Sequence, residues 1–326
     1  MITPAKYNTT TSTNQPIILR MGFSFFISVF AVKIIPVNKF IYLSHNLILM
    51  HHTTYHKQNK KGQEIFAQSW TGEKEPIAVI CHIHGQSDHS SRFEHVAAFF
   101  VAHQVDFFAA DLIGHGKSGG VRGHVNHFDE YLETVDMLYD EVVTKYPGKP
   151  IFIYGHSMGG NVVINHALQN TKPVTGYIAT SPWIRLAFDP PAWKVALGKT
   201  VKSILPALLQ PTGLNPALIS HDKEVVEKYK NNKLVHGKIS AAGFFEIFTK
   251  GKSILDRSAE LRYPMFIAHG TEDQLTDHTA SKAFANMRSD LIVYKEFPGL
   301  FHEMHNEPEK EQLFNAILHF IQQKIQ

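Results

Sequence analysis

The chain has 326 residues, enough for one large catalytic domain with an insertion and short for two independent enzymes. Apolar residues make up 44% of it and charged residues 19%, with a formal net charge of +3, which excludes a disordered or collagen-like polymer. No Lys/Arg block with interleaved aromatics stands out, so nucleic acid is not an expected partner. The one cysteine, Cys81, lies in the apolar run Ile77–Cys81; it can form no intrachain disulfide and no cysteine metal cluster, and it reads as a small buried hydrophobe.

Residues 1–49 form an N-terminal extension. Residues 1–19 are rich in Thr and Asn, and an apolar run from Gly22 to Val32 follows. That run is short of the roughly twenty apolar residues a spanning helix needs, and Lys33, Pro36 and Lys39 interrupt what comes next. Arg20 suits a signal-peptide n-region, but no small-x-small cleavage site follows. Three readings stay open: a true start at Met50, a signal, and a peripheral anchor.

After Met50, strand-like and helix-like segments alternate, the pattern of a mostly parallel sheet with helices on both faces. Gln63–Trp70, Pro76–His82 and Val105–Ala110 read as strands, and Ser91–Gln104 as a helix between the last two. His127–Tyr146 keeps a 3.6-residue apolar period and is ended by Gly148 and Pro150. Pro150–Tyr154 is then a strand, Met158–Gln169 a helix and Val174–Thr180 a strand. From Trp183 to about Leu255 the alternation breaks into helical patterns with no convincing strand, which marks an insertion. It resumes with strand Met265–Ala268, helix Thr279–Met287, strand Leu291–Glu296 and a last helix from about Pro308 to Lys324, with Asn306 as its expected N-cap.

Chemistry gathers where strands end. Gly155-His156-Ser157-Met158-Gly159 follows an apolar strand and opens a helix, the context a nucleophile elbow requires. The turn is so tight that side chains at 155 and 159 would collide; without partners, it would be a glycine-rich turn with a capping serine. A serine hydroxyl needs a base and a group to orient that base. Among 21 histidines, the order serine, acid, histidine selects by position: the acid follows a late strand and the histidine follows the last one. Asp273 ends the segment His269-Gly270-Thr271-Glu272-Asp273, and His302 follows the turn Phe297–Phe301. Glu272 and Asp277 compete for the acid, and His305 for the base. Asp277 reads better as the N-cap of the helix near His278, and His305 as a lead into the final helix. Two backbone N–H groups should receive a developing oxyanion, each worth roughly 3 kcal/mol of barrier. Met158 is one expected donor, and Gln86, in the loop His84-Gly85-Gln86-Ser87, is the other.

The pieces His84–Ser90, Asp111–Gly120, Gly155–Gly160, His269–Asp273 and His302–Glu307 together resemble the monoacylglycerol lipase and lysophospholipase-like branch of the α/β-hydrolases, over residues 60–325. The run Asp111–Gly120, continuing through Val121-Arg122-Gly123-His124, points to this branch; the residues themselves suggest only a rigid loop beside the site. The resemblance implies an α/β-hydrolase core over 50–182 and 256–326 and a helical cap over 183–255, within which Leu234–Ser240 also matches. It implies a serine hydrolase acting on glycerolipid esters, with a catalytic Ser157, Asp273 and His302, and with neither metal nor organic cofactor.

The cap supplies apolar residues for walling off an acyl chain: Trp183, Ile184, Leu186, Phe188, Trp193, Ile204, Leu205, Leu208 and Leu209. Lys194, Lys199 and Lys202 share a broad arc if residues 192–209 form one helix, so the cap, like the N-terminal segment, is a place for peripheral membrane contact on an otherwise cytoplasmic protein. A solvated face explains the same lysines. The scaffold also serves amide, thioester and C–C cleavage, and a binding module without turnover would keep the same pocket. A dehalogenase reading fails because position 157 is serine, not aspartate. The sequence leaves oligomeric state open.

Overall fold

The computed structural model describes residues 35–43, 46–169 and 171–326, all within one compact unit, Val32–Gln326. The expectations for residues 1–34 fall outside the described residues.

Runs such as Val79–Ile83 and Ile151–Tyr154 lack a polar alternation because both of their faces are covered. Val79, Cys81 and Ile83 join one core cluster while Ala78 and Ile80 join the other, and Ile151 and Ile153 are likewise opposed to Phe152 and Tyr154. In chain order the elements are β1 (Ile35–Leu43), β2 (Asn46–Gln58), β3 (Glu64–Thr71), β4 (Ala78–Ile83), α1 (Glu94–Ala102), β5 (Val105–Ala110), α2 (Asp129–Lys145), β6 (Ile151–His156), α3 (Met158–Gln169) and β7 (Gly176–Thr180). The insertion carries α4 (Ala192–Ile204), β8 (Leu209–Pro211), α5 (Lys223–Lys230), β9 (Lys238–Ser240) and α6 (Ala241–Asp256). Then come β10 (Met265–Gly270), α7 (His278–Met287), β11 (Ile292–Phe297) and α8 (Lys310–Lys324).

Among the described residues one nine-stranded sheet runs β1-β2-β3-β5-β4-β6-β7-β10-β11. It is parallel from β5 to β11 and antiparallel at β1/β2, β2/β3 and β3/β5. Helices α2, α3 and α7 cover one face, α1 and α8 the other. Since β5 and β6 lie on opposite sides of β4, the order reverses there, and a crevice opens at the carboxyl ends of β4 and β6. This is the α/β-hydrolase architecture.

Three expectations need correcting. The sheet begins before Met50: β1 and β2 form an antiparallel hairpin, Met50 lies buried inside β2, and Pro36 and Lys39 sit in an edge strand, where a proline costs no ladder bond. The insertion holds two short strands, β8 and β9, paired antiparallel. Asn306 does not cap the last helix, which starts at Lys310 with Glu309 before it; its amide donates to Glu303 Oε2 at 2.7 Å instead. Asp277 does cap α7, accepting from Thr279 N at 2.8 Å.

The insertion is tied to the core from its far end. Asn161 of α3 donates to Trp183 O at 2.8 Å and to Ile247 O at 3.0 Å, and Ile247 and Ile254 of α6 sit in the main core cluster. Cys81 is buried, and burial pushes its thiol pKa up, so it acts as the hydrophobe the sequence suggests. No helix among the described residues is long and apolar enough to cross a membrane.

Candidate active site

The elbow at 155–160 is built by what glycine lacks. A Cβ on Gly155 would strike Gly159 O, one on Gly159 would strike Ile83 O, and one on Gly160 would lie 2.8 Å from Pro182 Cα. Between them Ser157 takes a φ of 56°, a left-handed conformation that L residues adopt only when held there. The holding bonds are Ser157 N to Thr180 O at 2.9 Å, and Asn161 N and Trp183 N to Ser157 O at 3.0 and 2.9 Å. Ser87 and Ser181, on the two neighbouring turns, also have positive φ, 64° and 45°.

Three strand ends converge on the serine. His302, in the turn after β11, brings Nε2 to 2.9 Å from Ser157 Oγ, and its Nδ1 lies 2.7 Å from Asp273 Oδ2, after β10. Ser181 Oγ donates to His302 O at 2.8 Å and fixes that turn from below. The same Asp273 oxygen accepts from Thr276 Oγ1 at 2.8 Å and faces His269 Nε2 at 3.0 Å, while Oδ1 accepts from Leu275 N and Thr276 N at 2.8 and 3.0 Å. Burial opposes ionisation of this carboxyl, but His302 and His269 outweigh it and hold its pKa well below the usual range. Burial likewise opposes a charged His302, and the facing Asp273 carboxylate reverses this, raising the imidazole pKa above its ordinary value. Together these groups can take a proton from the serine and hold the resulting imidazolium.

The competitors lie elsewhere. Glu272 is exposed, Asp277 serves α7, and His305 is buried with its ring stacked on Phe93 at 4.5 Å. His156, beside the serine, has its ring 4.9 Å from that of His302; burial, reinforced by His302, pushes its pKa down to about 3 and keeps it neutral.

The loop after β4 runs against the elbow. A Cβ on Gly85 would come within 3.1 Å of Ser157 Cβ. Among the described residues the backbone N–H groups of Gln86 and Met158 meet no acceptor. The Gln86 side chain reaches the insertion, donating to Lys238 O at 3.2 Å.

Sequence reasoning missed His269 and Thr276 as partners of Asp273. It also missed a buried charge cluster on the cavity wall: Arg92 donates to both Glu303 oxygens at 2.8 and 2.6 Å, pairs with Asp88 at 3.0 Å, and lies 4.8 Å from the centre of the Tyr229 ring. Burial opposes ionisation of Glu303, but Arg92 brings its pKa down to about 2. The i,i+4 spacing of Asp88 and Arg92 was the one available signal, and it straddled the boundary between the loop after the expected strand Pro76–His82 and the helix expected from Ser91.

A cavity of about 680 Å³ opens over Ser157 and His302, with Gln86, Asp88, Thr276 and Glu303 at its polar end. Its other walls come from the insertion, including Trp183, Leu186, Trp193, Val201, Leu208 and Phe244. Trp183 and Ile184 are buried, whereas Ile204 and Leu205 are exposed, as are Phe188, Trp193 and Leu208 of the cavity wall. The helix with the expected lysine arc ends at Ile204, and the half-exposed Lys202 is paired with Glu246 at 2.7 Å; the Lys194 side chain lies outside the described set. His221, Glu307 and Glu309 could each offer one ligand atom to a cation. Glu307 is already used, however, by Ser220 Oγ, His221 N, His221 Nδ1 and Phe301 N, so the group acts as a brace between the insertion and the His302 turn.

A family model described as serine aminopeptidase, S33, matches residues 74–309. An uncharacterized abhydrolase domain-containing protein of Dictyostelium discoideum is 32% identical over 79% of this chain, which spans 28% of that longer protein. A monoacylglycerol lipase of Mycolicibacterium smegmatis is 30% identical over 80% of this chain and 93% of its own length. The phospholipase YtpA of Bacillus subtilis is 32% identical over 79% and 99%. Among solved structures, the monoacylglycerol lipase of Paleococcus ferrophilus is similar with a TM-score of 0.73 and 27% identity, covering 80% of this chain and 99% of that one.

Proposed function

The chain belongs to the serine aminopeptidase S33 family and is a carboxylic ester hydrolase of its monoacylglycerol lipase-like α/β-hydrolase type, and from that premise we propose that it cleaves glycerolipids carrying one acyl chain. The observation that carries this reading is the hydrogen-bonded line Ser157–His302–Asp273 at the foot of a largely apolar cavity. A volume of about 680 Å³ suits one small lipid, within the roughly 300–1,000 Å³ range of small-molecule sites.

In this reading His302 Nε2 takes the Ser157 proton as Oγ attacks the ester carbonyl, and the N–H groups of Gln86 and Met158 receive the oxyanion. Asp273 keeps the imidazole oriented and stabilises its cation. His302 returns the proton to the leaving alcohol, then activates a water that releases the fatty acid from Ser157. Residues 183–255 act as the cap that keeps water from the acyl chain. Its exposed Phe188, Trp193, Ile204, Leu205 and Leu208 offer the apolar surface on which such a cap would meet a lipid interface.

Turnover of monoacylglycerols, lysophospholipids, short chromogenic esters and aminoacyl amides by wild-type and Ser157→Ala protein tests this. Highest kcat/KM on monoacylglycerols or lysophospholipids, abolished in Ser157→Ala, is the expected result. Retained hydrolysis by a folded Ser157→Ala protein, or preference for the amides, would sink it.

A further inference from the structure

An oxyanion donor on a loop is useful only if its peptide plane is held still. Taking Gln86 N–H as that donor, as in the reading above, we propose that His84 is the positioning residue that aims it.

The carbonyl of Gly85 and the N–H of Gln86 belong to one planar trans peptide and point in opposite directions. Whatever pins the carbonyl therefore directs the N–H. His84 Nδ1 lies 2.8 Å from Gly85 O, and His84 Nε2 lies 2.9 Å from Leu112 N. A backbone N–H can only donate, so Nε2 is the acceptor and the ring's single proton sits on Nδ1, donated to Gly85 O. The other bond to that carbonyl, from Asp88 N at 3.4 Å, is much longer. His84 is fully buried, and Gly85 lies directly against Ser157, so the pinned peptide is the one facing the serine.

This gives the run Asp111–Gly120 a purpose that its residues alone did not suggest. Asp111 Oδ1 accepts from Ser90 N and Ser90 Oγ at 2.7 and 2.6 Å, and Oδ2 accepts from Lys117 N at 2.7 Å. Ser118 Oγ donates to Asp111 O at 2.5 Å and accepts from Phe66 N at 2.9 Å. The loop is thus a bracket, closed on itself and on β3, that presents the Leu112 N–H to the ring. Bracket, imidazole, peptide plane and oxyanion form one line of orientation.

His84→Leu removes both bonds, whereas His84→Asn places an amide N–H where Nδ1–H stood and keeps the bond to Gly85. On a short chromogenic ester, His84→Leu is expected to lose about 10²-fold in kcat, with KM within about twofold of wild type, and to bind phenylboronic acid, which forms a tetrahedral adduct with the serine, about 10²-fold more weakly. His84→Asn is expected to recover most of that loss. A His84→Leu kcat within about threefold of wild type, or an equal rise in KM without loss of boronate affinity, would overturn the proposal. Independently of how the variants fold, histidine-selective nitrogen-15 spectra of the wild-type protein, assigned with His84→Asn, should show a protonated Nδ1 and a bare Nε2; a proton on Nε2 overturns it. If Ser157→Ala keeps its turnover, the active-site reading itself fails; if Ser157→Ala is inactive and His84→Leu is not impaired, only the role of His84 falls.

Discussion

Replacing Asp273 by asparagine separates orientation of the base from the rest of the site. Asp273 Oδ1 accepts two backbone N–H groups, from Leu275 and Thr276, so an asparagine oxygen will stay there. Its amide nitrogen must then occupy the Oδ2 position, 2.7 Å from His302 Nδ1, where the native carboxylate accepts a hydrogen bond. Two donors cannot face each other at that distance. His302 is driven to the tautomer with its proton on Nε2, aimed at Ser157 Oγ, and the serine loses its base. In the comparable triad this exchange costs about 10⁴ in kcat, or about 5 kcal/mol of barrier at roughly 1.4 kcal/mol per decade, and the same is expected here with little change in KM. A stopped assay on a chromogenic ester suffices, with circular dichroism as the check of folding. The pH profile gives a second reading. His302 must be neutral to act, and its pKa is raised by Asp273, so the ascending limb of kcat/KM in wild type is expected above pH 6.5. In Asp273→Asn the residual limb should move toward acid. A folded variant that loses less than tenfold in kcat, with an unmoved limb, would refute the argument.

Two further outcomes follow from burial and from the cavity. Burial holds the pKa values of His82, His115, His156, His236 and His305 below the ordinary value, to about 3 for His156 and about 4 for His236. Unfolded, each titrates near 6.5, so the unfolded state binds more protons, and stability is expected to fall as pH drops below about 6.5, by up to 1.4 kcal/mol per pH unit per histidine. His302, with its raised pKa, opposes this by one group. Urea melts between pH 7 and 5, above the carboxylate range, measure the effect; constant or rising stability over that interval would contradict it. Gly198 lines the cavity where α4 meets Phe245, and a Cβ there would lie 2.8 Å from Phe245 Cε2. Gly198→Val is expected to take the room of about two methylenes, lowering the long-chain to short-chain ratio of kcat/KM about 15-fold at 0.8 kcal/mol per methylene. An unchanged ratio on hexadecanoyl and butanoyl esters would refute that placement of the acyl chain.

Much of this site was legible because it hangs on strand ends. Strands covered on both faces leave continuous apolar runs, and the turns that follow them are narrow enough to demand glycine, so the turns that carry the candidates Ser157, Gln86, Asp273 and His302 could be located by counting strands. The partners of Asp273 could not. His269 points back to it only because β10 ends in a turn whose geometry no spacing rule specifies, and Thr276 joins through its hydroxyl in the same turn. The β1–β2 hairpin escaped because residues 33–49 were tested against the length of a membrane helix, and Pro36 and Lys39 are interruptions only on a helical reading. Asn306 was a reasonable cap by type, but the buried carboxylate of Glu303 claimed its amide. The Arg92–Glu303 pair joins residues more than two hundred positions apart, and only the i,i+4 spacing of Asp88 and Arg92 hinted at it locally.

The left-handed backbone at Ser157 has a consequence for how this protein would change over generations. A non-glycine residue there carries roughly 1–2 kcal/mol that glycine would not. With Ser157 as the proposed nucleophile, thermodynamics and turnover ask for different residues at position 157, and glycine would give a sturdier protein without that hydroxyl. A copy of this gene released from the need to hydrolyse anything would drift toward glycine at that one codon, gaining stability as it lost its reaction. On the proposed reading of Ser157 as nucleophile, the reaction and the folding free energy thus pull that position in opposite directions.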